Sequence, residues 1–84
     1  AKIVCALHLE ALVSLEVYDV TGRKMITLVE DRWPAGYHTV VWNGRDERGK
    51  PVSAGVYFYR LRARPVSGGQ PELITVTKKM IKLR

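Results

Sequence analysis

KPVSAGVYFYRLRARP, residues Lys50 to Pro65, is the stretch on which the fold turns. Its first half is turn chemistry: Pro51 removes a backbone donor, and Gly55 tolerates the conformation at which a strand can start. From there the residues alternate with period 2. Tyr57, Tyr59, Leu61 and Ala63 fall on one face, and Arg60, Arg62 and Arg64 fall on the other. No helical register collects the aromatics on one side and the arginines on the other. The stretch predicts a half-buried strand with aromatics inward and a row of cations outward.

Working outward, the same period recurs. VSLEVYD sets Val13, Leu15 and Val17 inward against Ser14, Glu16 and Tyr18, and KIVCALH alternates Ile3, Cys5 and Leu7 with Val4, Ala6 and His8. Between Tyr18 and Met25, DVTGRK predicts a tight hairpin turn, with Asp19 accepting backbone N–H bonds and Gly22 taking positive φ. KMITLVE is less regular, because Met25, Ile26, Leu28 and Val29 do not share one face. WPAG, with Pro34 and Gly36, breaks the chain before YHTVVW, where Val40 and Trp42 share a face. NGRDERGKPVSAG is a long polar connection with two successive turn signals. PVSGGQP forms the tip of a last hairpin leading into ELITVTKKMIKLR, whose alternation slips near Lys78–Lys79 and suggests a bulge there. The sum is about seven short strands, an all-β antiparallel sandwich of immunoglobulin type, with Trp33, Trp42 and the tyrosines supplying much of the core.

Eighty-four residues make one small domain, 1–84, with a single core and no room for a large buried pocket. No apolar run approaches the roughly 20 residues that span a bilayer. AKIVCALHLEAL lacks the basic and apolar regions of a signal peptide, and the chain lacks an initiating Met. Charge is informative by position. Up to Tyr59 seven Lys/Arg balance seven Asp/Glu. From Arg60 onward seven basic residues face Glu72 alone, so the formal excess of +6 belongs to the last two strands. Such an excess suits an anionic partner, or it protects a sheet edge from strand addition. If the last two strands pair, Arg60, Arg62 and Arg64 lie beside the outward basic residues of TKKMIKLR, and Arg60, Arg62, Arg64 and Arg84 mark the basic surface.

Chemistry that converges on a reaction is sparse. His8 and His38 lie on strands outside any metal-ligand spacing, Cys5 sits among inward apolar residues, and no Ser or Cys occupies a nucleophile elbow. Asn43, Asp46 and Glu47 lack the dense carboxylates of a calcium loop and stand beside Arg45 and Arg48. The reading is non-catalytic, with no catalytic residue, metal or cofactor expected. Nucleic-acid stacking is disfavoured, because Tyr57 and Tyr59 face away from the arginines.

From VSLEVYD through GVYFYRLRA to TKKMIKLR, the chain resembles a bacterial immunoglobulin-like family. Its members are the C-terminal sorting domains of the type IX secretion system and the Ig-like domain of the flagellar hook-capping protein. The matching pieces are Tyr18-Asp19 with Gly22-Arg23, Pro34-Ala35-Gly36, Trp42-Asn43-Gly44, Ser53 to Leu61, and Lys78-Lys79-Met80. In the sorting branch the resemblance implies a C-terminal module of a larger cargo protein, recognised by an outer-membrane translocon and often by a sortase-like protease. It also implies attachment to anionic lipopolysaccharide and delivery through the periplasm to the cell surface or beyond. The signal would be Gly55, Val56 and Tyr57 with Lys78, Lys79 and Lys82. The hook-capping branch implies instead a structural spacer or assembly module. An anion- or nucleic-acid-binding β module is the third reading.

Overall fold

The computed structural model describes residues 1–66 and 73–83. Most of the PVSGGQP tip and Arg84 lie outside the described residues. Within them the chain forms six strands and no helix: β1 (Lys2–Leu7), β2 (Ala11–Asp19), β3 (Lys24–Trp33), β4 (Gly36–Val41), β5 (Gly55–Pro65) and β6 (Ile74–Lys82). All pairings are antiparallel. One sheet has the order β3-β2-β5-β6, and β1 and β4 form a second. The sequence suggested about seven strands. The polar connection between Trp42 and Gly55 contains only a single bridge, Arg45 to Pro51, so no further strand forms there.

The hairpin turn forms as its residues require. Asp19 accepts from the Thr21 amide (2.9 Å), the Thr21 hydroxyl (2.6 Å) and the Arg23 amide (3.1 Å), and Gly22 takes φ +87°. Asp19 is held below the usual carboxylate range, first by the Thr21 hydroxyl, against a smaller opposing effect of desolvation, with the backbone amides and the Arg23 charge assisting.

The two sheets face one another across a shared core. Alternation buries Ala11, Val13, Leu15 and Val17 of the central strand β2. Above them lie Ile3, Cys5 and Trp42, and beside them Tyr57, Leu61, Ala63 and Met80. Each large aliphatic side chain removed from water here contributes about 1.5–3 kcal/mol. The aromatic share of the core is smaller than expected. Trp42 and Tyr57 are buried, whereas Trp33 and Tyr59 only pack against the core and Tyr37 stands in solvent.

Register explains the irregular strand. Opposite β2, Leu15 pairs with Val29 but Glu16 with Thr27, and Val17 pairs with Ile26 but Tyr18 with Lys24. Leu28 and Met25 are therefore extra residues, and β3 bulges twice. The bulge expected at Lys78–Lys79 is absent. Pairing of β5 with β6 runs unbroken from Gly55–Lys82 to Ala63–Ile74. At an outer strand a lysine on the core-facing side can run its stem past the rim into water, so the ladder has no need to slip.

Candidate functional site

The unbroken register sets the two distant pieces of the suspected signal side by side. Gly55 pairs with Lys82, Val56 with Ile81 and Tyr57 with Met80. Tyr57 anchors the corner: its ring meets Trp42 edge-on at 5.2 Å, and its hydroxyl donates to the Ser53 carbonyl at 2.7 Å. Val56, on the outer side, is exposed.

The three lysines have different surroundings. Lys79 lies on the outer face opposite Phe58 and is exposed. Lys78, opposite Tyr59, is exposed on the core-facing side. Lys82 shares that side but is half-buried, and its ammonium donates to the Val52 carbonyl. Its stem lies against Gly44, where a Cβ would fall 2.5 Å from Lys82 Cε and where φ is +76°. Lys82 thus clasps the Asn43–Val52 connection to the sheet. Of the three lysines, Lys79 alone shares the outer face with the arginine row. Period 2 sends Lys78 and Lys82 to the side opposite Lys79.

The arginine row lies on the outer face of β5, as alternation required, but it is not free charge. Glu16 on the neighbouring strand sits among three cations: Arg60 Nη2 at 3.6 Å, Arg62 Nη2 at 3.7 Å and Lys24 Nζ at 3.8 Å. Tyr18 donates to Glu16 Oε1 at 2.8 Å and accepts from Arg60, whose guanidinium also lies over the Tyr18 ring, 4.7 Å from its centre. Desolvation pulls the Glu16 carboxyl upward. The Tyr18 hydrogen bond and the charges of Lys24, Arg62 and Arg60 together outweigh it, so the group rests below its ordinary value. Arg64 is the exposed member of the described row, and Arg60 and Arg62 are half-buried. It borders a shallow groove of about 570 Å³ that also includes Arg62, Arg32, Glu30 and Asp31.

His38, Asp46 and Glu47 have structural partners. His38 stacks on Trp33 (4.3 Å between centroids) with Nε2 2.8 Å from the Pro34 carbonyl oxygen, which fastens β4 beside the end of β3. Asp46 accepts from the amides of Arg48 and Lys50, Asn43 accepts from the Arg45 amide, and Glu47 accepts from Thr27. These are turn-capping contacts. Among the described residues no three His, Cys, Asp or Glu side chains gather as metal ligands. Burial pushes the Cys5 thiol up, away from the reactive thiolate. No helix in the described residues is long and apolar enough to cross a membrane.

Sequence reasoning missed Glu16 and Tyr18 as partners of the arginine row. Alternation turns both outward on β2, but only the pairing of β2 with β5 brings Glu16 opposite Arg60. Like charges spaced two apart on one strand, with a single acid outward on another, were the signal that could have found them. Comparison with protein-family models and with characterised proteins finds no match to this chain.

Proposed function

We propose that this chain is a non-catalytic, immunoglobulin-like sorting and anchoring module that directs a cargo protein through the type IX secretion system to the cell surface. The observation supporting this reading is the β5–β6 register, which sets Gly55-Val56-Tyr57 against Met80-Ile81-Lys82 at one corner of the sheet. Segments far apart in sequence, each part of the resemblance, thereby form one contiguous edge. Lys78 and Lys79 lie exposed beside it on the two sides of the last strand. In this reading the translocon reads the edge strand and its two lysines. Lys82 keeps the edge in shape, and any enzymatic or adhesive activity belongs to the cargo.

The test separates reading from folding. Lys78→Ala with Lys79→Ala changes exposed side chains only, whereas any change at Lys82 would loosen the Asn43–Val52 connection as well. In a fused reporter expressed in a host with the type IX machinery, the double variant should remain inside the cell while the purified domain keeps its Tm. Normal surface delivery of the double variant would refute the claim that these lysines are read. The better account would then be a structural spacer of the flagellar hook-capping kind.

A further inference from the structure

The second sheet is narrower than the first, and the mismatch leaves one position vacant. The Trp33–His38 stack holds β4 over the β3 side, and β1 lies next to β4 toward β5 and β6. Among the described residues no strand pairs with the outer edge of β1. Exposure records the gap. The core-facing residues of β2 are at most 3% exposed, whereas Ile74, on the same side of β6, is 50% exposed. Between β1 and β6 runs an apolar cleft of about 270 Å³, walled by Leu7, Leu9, Leu61, Ala63, Ile74 and Val76 among others.

The backbone beside this cleft is free for pairing. Ala1 and Trp42 exchange two hydrogen bonds of 2.8 Å, closing a bonded pair at one end of the β1–β4 ladder. Alternation then turns the backbone groups of Ile3, Cys5 and Leu7 toward β4, and directs the N–H and C=O groups of Lys2, Val4 and Ala6 to the free edge. Both edges of the larger sheet are charged, with Lys24, Glu30, Asp31 and Arg32 on β3 and Lys78, Lys79 and Lys82 on β6, whereas the outer edge of β4 is uncharged but does not border the cleft. Such charge discourages strand addition. On β1 the only charge is Lys2.

We propose that the β1 edge and the adjoining cleft form a docking site for one extended peptide strand of a partner, added antiparallel to β1. The chemistry of the strand follows from the wall it would cover. Moving along β6 from the cleft, the core-facing residues are Ile74, Val76 and then Lys78, which has no carboxylate in ion-pairing range among the described residues. The strand therefore carries two aliphatic residues at alternate positions and an acidic residue two places further on. A second folded copy does not fit. Pairing β1 edge to edge would drive the copy's own β5–β6 layer into the space β6 already fills. The strand adds main-chain hydrogen bonds, and its alternate side chains give the selectivity.

The probe is the acetylated, amidated peptide Val-Thr-Val-Thr-Glu-Thr, titrated into the isotopically labelled 84-residue chain. Saturable binding should slow amide exchange at Lys2, Val4 and Ala6 about tenfold or more, leaving Tyr37, Thr39 and Val41 unchanged. Val4→Pro removes an outward donor at a strand edge, where proline is tolerated, and should abolish binding while Trp42 fluorescence and Tm persist. Should that variant not fold, the same peptide N-methylated at alternate residues tests the ladder from the ligand side and should not bind. Lys78→Gln should weaken the peptide about threefold, the scale of a half-exposed ion pair. Absence of saturable binding below about 1 mM, where binding falls to roughly 4 kcal/mol, would overturn the proposal. So would protection on β4 instead of β1, or indifference to N-methylation. The readout uses the purified domain, so it stands or falls separately from the sorting reading.

Discussion

Glu16→Gln tests whether the arginine row is held by its neighbour. The substitution keeps an acceptor for the Tyr18 hydroxyl and removes only the charge. Three cations at 3.6–3.8 Å then lose their shared anion, and Arg60 and Arg62 repel each other across one strand. The partners' side chains are 34–47% exposed, so each pair is discounted to about 0.3–0.7 kcal/mol, for a total near 1–2 kcal/mol. In a domain of this size that lowers Tm by roughly 5–15 °C at neutral pH. Linkage supplies a second signature. The folded-state pKa of Glu16 is depressed, so its contribution is present above the unfolded value of about 4.3 and is lost as pH falls through the folded value. Thermal melts of both proteins from pH 7 to pH 2 should therefore show a gap that closes on acidification, and 1 M salt should narrow it. A gap below about 2 °C at neutral pH, or one that persists unchanged at pH 2, would refute the electrostatic account of this face.

Two further outcomes follow from the turns. Gly44→Ala should cost about 1–2 kcal/mol in denaturant unfolding, because φ is positive there and the new Cβ displaces the Lys82 stem. Combined with Lys82→Ala it should cost less than the sum of the two single changes, and strict additivity would argue against the clasp. Asp19→Ala should lower Tm at pH 7 by freeing the amides of Thr21 and Arg23. Since the folded carboxyl titrates low, that deficit should shrink toward pH 2, and a deficit constant with pH would assign the effect to something other than the ionised carboxylate.

Local patterns made much of this architecture legible. Period 2 assigned the faces of β1, β2 and β5, and the Asp19–Gly22 turn was visible because its side chain bonds within its own segment. Pairing of β5 with β6 followed from a single turn between two alternating runs. Where the reading went astray, the deciding partner was remote. The bulges belong to β3 because β2 dictates its register, and Lys78 needs no bulge because β6 ends a sheet. An aromatic residue's identity does not say which sheet covers it, so Tyr37 entered the expected core yet lies in solvent.

What the sequence by itself determined was the class of structure and the face each side chain takes along its own strand, because alternation and turn geometry act over a few residues. Only the tertiary structure decided which strands are neighbours. That choice set Glu16 against Arg60 across 44 residues of chain, laid the Lys82 stem on Gly44, and left the β1 edge open above Ile74 and Val76. The reason is that these contacts depend on the order of strands and the width of each sheet. Both emerge from burying the whole set of apolar faces at once, and no single stretch of residues encodes them.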